Sequence, residues 1–123
     1  MSHNFPDQDL DLSFLFDIAD GSNEFIIESI DMFLVQTPEL IENINAAIET
    51  KNWPVAASGA HKLKSNLGFF GMPASQATMQ EVEIMAKTGT PDTHLLISKF
   101  NEVKETIATN IISLTKVKAE LEG

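Results

Sequence analysis

The sequence predicts an all-α fold, an antiparallel four-helix bundle with a short extra N-terminal helix. Apolar residues recur at steps of three and four residues through most of the chain, which is the period of a helix with one buried face. No segment shows the strict apolar–polar alternation or the Asn-Gly turns that are typical of strands. With 123 residues, 43% of them hydrophobic, the chain is long enough for one core, so a single domain over 1–123 is expected.

The N-terminal segment is predicted to be a leader followed by one short helix. Residues 1–9 are polar and acidic. A helix is expected over about 10–18, where either Asp9 or Asp11 can cap it. Its apolar residues are Leu12, Leu15, Phe16 and Ile18. The bundle is then expected over about 22–121.

The first two bundle helices are marked by their stripes and their ends. Ser22 can cap the first of them, whose apolar stripe is Ile26, Ile30, Phe33, Thr37, Ile41, Ile44 and Ile48. Because this stripe stays in phase across Pro38, one helix kinked at the proline is expected rather than two helices. The next helix is expected to begin after Asn52 and to run to about Phe70, with Gly71 in a left-handed C-terminal position.

The last two bundle helices have clear start signals. Pro73 can open one helix, which is expected to end near Thr88-Gly89, and Thr90-Pro91-Asp92 marks the start of the other. The stripe of the last helix is Leu96, Phe100, Val103, Ile107, Ile111, Leu114 and Leu121. Because the connections are short, consecutive helices are expected to be antiparallel neighbours.

The distribution of charge argues against several classes of function. The net charge of −10 argues against nucleic-acid binding, which needs a basic patch. Residues 1–50 carry −11 and residues 51–123 carry +1; the acidic part is interpreted as a solvated surface, with a field that selects partners as the alternative. No apolar run approaches the ~20 residues of a membrane span, so a cytoplasmic protein without a membrane segment is expected. The absence of cysteine excludes disulfides and thiolate metal sites.

The helix expected over about 52–70 contains the candidate functional residue, His61. On a helical wheel of ~100° per residue, its core-facing side is made of Ala56, Gly59, Ala60, Leu63, Leu67 and Phe70. The residues within about 60° of His61 on that wheel are Pro54, Ala57, Ser58, Lys64, Ser65 and Gly68. Apart from Lys64, none of these has a long side chain. Such a bare helix face leaves room for another protein to close over the imidazole.

An exposed imidazole is a plausible nucleophile. A histidine in solvent is largely uncharged at neutral pH and has a free ring nitrogen, which can attack an acyl phosphate. Lys64 lies one turn along on the same side, where its ammonium can reach an anion held on the ring. Phosphoryl transfer needs mainly positioning and charge stabilisation, so two residues suffice if a partner supplies the rest. No metal-binding constellation is visible, so a metal would have to come from that partner.

Residues 60–72, AHKLKSNLGFFGM, resemble the signature of histidine-containing phosphotransfer (HPt) domains. In that signature a His is followed by Leu, Lys, two small residues and Gly at fixed spacings, which are filled by His61, Leu63, Lys64, Ser65, Gly68 and Gly71. Trp53 and the QEVEIMAKTG stretch also resemble the family, and the likeness covers about 22–120. Two departures are Ser65, where Gly is common, and Phe69-Phe70, which is bulkier than usual and can alter the partner-facing edge.

The resemblance implies a role for each site residue. His61 is expected to be the phosphoacceptor, phosphorylated on Nε2, and Lys64 the cation that stabilises the phosphoryl group. Gly71 is expected to be structural. The positions expected to give a docked partner clearance are Ala57, Ser58, Ser65 and Gly68.

The resemblance also implies the partners. The phosphoryl group is expected to come from an aspartyl-phosphate on one receiver domain and to pass to the aspartate of another, in response regulators or hybrid histidine kinases. Mg²⁺ belongs to the receiver, and no cofactor is expected in this chain. No glycine-rich phosphate loop is present, so no autonomous ATP-dependent kinase activity is expected. The family default is a monomer.

Each residue assignment has a plainer alternative. Lys64 can be an ordinary solvated lysine, and Gly68 can permit close helix packing rather than partner clearance. Phe69 can contact a partner or pack against the next helix, and the sequence does not decide between these. His3 and His94 are isolated, and no role is assigned to them.

Three alternative functions are weighed against phosphotransfer. A non-catalytic adaptor that only binds receivers is disfavoured by the intact His61–Lys64 pair, and an HPt module of a hybrid sensor kinase remains open. A metal-carboxylate enzyme built in a four-helix bundle needs inward Glu-x-x-His pairs. The sequence contains no such pair, so this class is discarded.

Overall fold

A computed structural model describes residues 4–123 of the chain. The five helices are α1 (Ser13–Ala19), α2 (Asn23–Glu49), α3 (Trp53–Phe69), α4 (Pro73–Lys87) and α5 (Thr93–Glu122). Helix α3 packs against both α2 and α4, and α5 contacts the same two helices, so that α2 to α5 form one bundle. The predicted all-α four-helix bundle with a short extra N-terminal helix is confirmed.

Short polar side chains set where three of the helices begin. Each accepts a hydrogen bond from the backbone N–H three residues further on, which satisfies one of the unpaired donors of a helix start. These capping residues are Ser22 for α2, Asn52 for α3 and Asp92 for α5. Pro38 lies inside α2, which continues through it, so the prediction of one helix there is confirmed.

The turn between α3 and α4 follows from a single glycine. Gly71 has a φ of +70°, and the N–H of Met72 donates to the carbonyl of Leu67 at 2.9 Å, which is the hydrogen bond of a Schellman helix end. Pro73 then opens α4 as predicted.

The predicted stripes form the core. Of the stripe on α2, only Ile41 is more than marginally exposed, and on α5 only Ile111 and Leu121 are. The side chains buried to 1% exposure or less include Ile26, Ile30, Leu63, Leu67, Met79, Val82, Leu96 and Phe100. Within residues 4–123, no helix combines the length and the apolar character that crossing a bilayer demands.

The N-terminal segment differs from its prediction. Residues Asn4–Phe5 and Leu10–Asp11 pair as two short antiparallel strands, β1 and β2, around a 3₁₀ turn at Pro6–Gln8. Helix α1 therefore begins at Ser13 rather than near residue 10. Its apolar residue Ile18 is 45% exposed. His3 lies outside the described residues.

Backbone and side-chain hydrogen bonds tie this segment, here called the N-terminal strap (residues 4–12), to the bundle. The carboxylate of Asp9 does not cap α1. It accepts from the backbone N–H groups of Ala74 at 2.9 Å and Ser75 at 2.8 Å, at the start of α4. The N–H of Asp11 donates to the carbonyl of Gly71 at 2.8 Å. These contacts fix the strap over the turn between α3 and α4.

Candidate functional site

The His61 side chain stands at the surface in the middle of α3. Its side chain is 61% exposed, whereas its neighbours Ala60 and Leu63 are fully buried on the opposite side of the same helix. The amphipathic pattern of α3 thus places the imidazole outside the core, within reach of another molecule.

One edge of the imidazole is held by a carboxylate from α4. Nδ1 of His61 lies 3.2 Å from Oε2 and 3.4 Å from Oε1 of Glu83. The Glu83 side chain is only 5% exposed. Among residues 4–123, Nε2 of His61 has no hydrogen-bond partner. The ring is therefore fixed through Nδ1 and open at Nε2.

Two lysines neutralise the buried carboxylate. Lys64 Nζ lies 2.8 Å from Glu83 Oε1, and it also donates to Gln80 Oε1 at 2.6 Å. Lys87 Nζ lies 2.9 Å from Glu83 Oε2. The hydrogen bond from Lys64 and then that from Lys87 lower the pKa of Glu83 to about 2, against the opposing effect of burial. Glu83 is therefore ionised throughout the physiological pH range.

The charge state of Glu83 fixes the tautomer of the neutral imidazole. An ionised carboxylate can only accept hydrogen bonds. Nδ1 of His61 must therefore be the donor, which assigns the ring proton to Nδ1. The lone pair of the neutral ring then lies on Nε2, the exposed nitrogen. This is the arrangement that a nucleophilic imidazole requires.

A groove of about 610 Å³ runs beside the imidazole between α3 and α4. Trp53, Ala57 and Ala86 supply its apolar lining, and Lys62 and Lys87 line it together with His61 and Glu83.

The bare helix face that the sequence predicts is open on one side only. Ser58 and Ser65 are exposed as expected, and the hydroxyl of Ser65 donates back to the carbonyl of His61 at 3.1 Å, which keeps it close to the helix. Ser65 lies on the side of His61 away from α4, whereas Ser58 also lines the groove between α3 and α4. Lys62 is the long side chain on that side, and it is exposed.

The other side of the predicted face is covered by α4, which corrects two predictions. Ala57 is 6% exposed and lies in the groove wall, so it is a packing residue rather than an open clearance position. A Cβ on Gly68 would contact the side-chain amide of Gln76 on α4. Gly68 therefore also makes room for Gln76 within the chain, which is the close packing of its alternative interpretation.

Two further sequence predictions are decided by the packing. Gly71 is structural, because a Cβ there would overlap the carbonyl of Asp11. Phe69 packs edge-on against Phe14 of α1, with ring centroids 5.8 Å apart, a contact that neither of its two alternatives included. His94 is exposed near the start of α5, away from the residues that surround His61.

Sequence reasoning missed Glu83, the residue that organises the site. Gln80, Glu83 and Lys87 occur at spacings of three and four on α4, so they share one helix face. That face lies within the QEVEIMAKTG stretch, and a glutamate with Gln and Lys at helical spacing was the available signal. Within the part of the chain that the structure describes, no group of three or more His, Cys, Asp or Glu residues could hold a metal ion.

Comparison with known proteins identifies the family of the chain. A family model described as the Hpt domain matches residues 28–109, which is more than half of the chain. The crystal structure of the HPT domain from a sensor hybrid histidine kinase of Shewanella is similar, with a TM-score of 0.65 and 25% sequence identity over 94% of this chain and 92% of that one. No curated protein matches. The chain belongs to the Hpt domain family, the histidine-containing phosphotransfer domains of phosphorelays.

Proposed function

We propose that His61 is the phosphoacceptor of a phosphorelay. It takes the phosphoryl group from an aspartyl-phosphate on one receiver domain and passes it to the aspartate of another response regulator. The observation that carries this proposal is the exposed imidazole whose Nδ1 is held by the buried, ionised Glu83. That geometry supports reaction at Nε2.

The transfer step is a displacement at phosphorus. The Nε2 lone pair attacks the phosphorus atom, the Nε2–P bond forms, and the P–O bond to the receiver's aspartate breaks with its electron pair leaving on the carboxylate. The imidazole becomes positively charged in this step and keeps its proton on Nδ1. Glu83, at 3.2 Å from Nδ1, stabilises that charge. The reverse sequence delivers the group to the next receiver.

Lys64 serves the step in two ways. It holds Glu83 and Gln80 in place from α3, and it supplies positive charge one turn from the ring as the phosphoryl group arrives. Ser58 and Ser65 leave the open side of the helix low enough for a receiver to approach the ring.

The partners are receiver domains, and the positive charge around His61 supports this assignment. Three lysines lie around His61, namely Lys62, Lys64 and Lys87, in a chain whose net charge is −10. The active surface is therefore a basic patch that suits an acidic receiver pocket.

Mg²⁺ comes with the receiver, which binds it beside its own aspartate. The protein acts in the cytoplasm as a monomer, without autonomous ATP-dependent kinase activity.

The alternative is that this domain is part of a hybrid histidine kinase. It is supported by the similar structure, which is an HPT domain of such a kinase. In that context the same site would serve as one module of a relay within a larger sensor. A transfer assay against every receiver domain of the source organism separates the two cases: a free relay protein transfers to separate response regulators, whereas a kinase module is supplied preferentially by one hybrid kinase receiver.

The direct test is labelling by a phosphorylated receiver in the presence of Mg²⁺. The protein should acquire one acid-labile, base-stable phosphate. His61→Gln should abolish the labelling and leave the circular dichroism and unfolding transition unchanged, because the side chain lies outside the core. His94→Gln is the matched control and should label like the parent protein. Labelling that survives in His61→Gln contradicts the proposal.

A further inference from the structure

The two lysines that hold Glu83 differ in their freedom to move. The Lys64 side chain is 20% exposed and donates to two acceptors, Gln80 and Glu83. The Lys87 side chain is 64% exposed and, within residues 4–123, is paired with Glu83 alone. Moving Lys64 would break two contacts, the hydrogen bond to Gln80 and the ion pair with the buried Glu83. Moving Lys87 would break one ion pair, and Glu83 would keep its ion pair with Lys64.

The groove beside the imidazole also distinguishes the two lysines. His61, Glu83 and Lys87 all line it, whereas Lys64 does not. Lys87 therefore lines the same opening as His61, and it reaches that opening from α4, the helix that faces His61.

We propose that Lys87 is a second phosphate-contacting residue: once His61 is phosphorylated, the Lys87 ammonium leaves Glu83 and binds the phosphoryl group at the mouth of the groove. This deepens the proposed function and rests on it. The contribution of Lys87 to binding the phosphoryl group is at least as large as that of Lys64.

The exchange is favourable because of the charges involved. A phosphoryl group on the ring carries more negative charge than a carboxylate and offers three acceptor oxygens. Glu83 is not left unpaired by the exchange, since it keeps the ion pair with Lys64 and the hydrogen bond from Nδ1 of His61. The buried carboxylate thus holds Lys87 close to the ring until an anion arrives.

The test uses the full chain phosphorylated chemically, so that no receiver is needed. In a His3→Gln/His94→Gln background His61 is the only imidazole. Phosphoramidate can then phosphorylate it: the P–N bond of the reagent breaks as the Nε2–P bond forms, and ammonia leaves. Phosphorus NMR follows the pH midpoint at which the bound phosphoryl group loses its last proton. An ammonium in contact favours the dianion and lowers this midpoint.

Three substitutions in that background decide the question. Lys87→Met should raise the midpoint by a few tenths of a pH unit to about one unit, the range that loss of one solvent-facing charge contact gives. Lys87→Arg should stay near the parent value. Lys99→Met, which removes an equal charge from an ion pair with Glu81 on another part of the surface, should leave the midpoint unchanged.

The comparison with Lys64→Met completes the test. A midpoint shift in Lys87→Met that equals or exceeds the shift in Lys64→Met supports the proposal. A shift that is smaller than the Lys64→Met shift, or absent, overturns it. Failure of the proposed function would be seen separately, as a parent protein that no phosphorylated receiver labels even though phosphoramidate does.

Discussion

Two carboxylates at opposite ends of α4 both accept hydrogen bonds, but they have different roles. Asp9, from the N-terminal strap, accepts from two backbone N–H groups at the first turn of α4. Glu83, near the last turn of the same helix, accepts from the side chains of His61, Lys64 and Lys87. Backbone donors cannot leave without unfolding the helix end, whereas side-chain donors can exchange partners. The first carboxylate therefore fixes the fold, and the second builds a site that can respond to an arriving anion.

The largest expected effect is a loss of stability in Gly71→Ala, at the end of α4 that the N-terminal strap contacts. The new Cβ would overlap the carbonyl oxygen of Asp11, and alanine is disfavoured at a φ of +70°. Release of the strap would also expose Leu10 and Leu12, which are buried. We expect the free energy of unfolding to fall by about 3 kcal/mol or more, measured by urea denaturation.

Gly21→Ala is the control for that substitution. Gly21 has a φ of +85° but no atom within 4 Å of an added Cβ, so it should lose only about 1 kcal/mol from backbone strain. Equal losses of unfolding free energy in the two variants would show that the overlap with the strap at Gly71 costs nothing beyond the backbone strain.

At the site end, Glu83→Ala should slow phosphoryl transfer, whereas a variant at the strap end should not. Loss of the charge-assisted hydrogen bond that orients His61, about 1.5–3 kcal/mol, should slow transfer from a phosphorylated receiver by about 10-fold to 100-fold. Asp9→Ala is the matched variant: loss of the α4 cap should lower the free energy of unfolding by about 0.5–2 kcal/mol and leave the transfer rate of the folded protein unchanged. The opposite pattern, with Asp9→Ala slowing transfer more, would refute the division between the two ends.

Much of the fold and part of the site are visible in the sequence, but only where the determinant is local. Gly71, Pro73 and Asp92 mark helix ends because their effects act within one turn of the backbone. The stripes on α2 and α5 predict the core because periodicity alone sets which face is apolar. His61 could be singled out in the same way, from the short residues around it on one helix.

The residues that sequence reasoning missed depend on contacts between distant segments. Asp9 caps a helix that begins 64 positions later, and Glu83 meets His61 only because α3 and α4 pack side by side. A helical wheel for α3 alone cannot show that α4 covers Ala57 and that Gln76 lies over Gly68. The wheel gives directions from one axis, whereas coverage depends on the position of the neighbouring helix.

Acid titration sharpens the comparison further. The pKa of Glu83 is lowered from 4.5 to about 2 in the folded protein, so the stability that its ionised form contributes is fully present above pH 4.5 and is lost as the pH falls toward 2. In Glu83→Gln the free energy of unfolding should therefore fall less steeply between pH 4.5 and pH 2 than in the parent, as measured by urea denaturation at several pH values. Parallel curves would mean that Glu83 is not held ionised by Lys64 and Lys87.

The smallest expected effect is on the open side of the site. Ser65→Gln places a longer side chain beside the imidazole on the exposed face and should slow transfer by a few fold, without changing the unfolding transition. Ser98→Gln, at an exposed position on α5, is the control and should transfer at the parent rate. A parent-like rate in Ser65→Gln would show that a receiver does not approach across this side of α3.

The measurement that bears most directly on the account is the location of the phosphoryl group after transfer from a receiver. Nitrogen–phosphorus correlated NMR of the labelled protein identifies both the histidine and the ring nitrogen. Because Glu83 holds Nδ1, we predict a single phosphohistidine at His61 with phosphorus bonded to Nε2. Phosphorus on Nδ1 of His61, or on any other residue, would contradict the account.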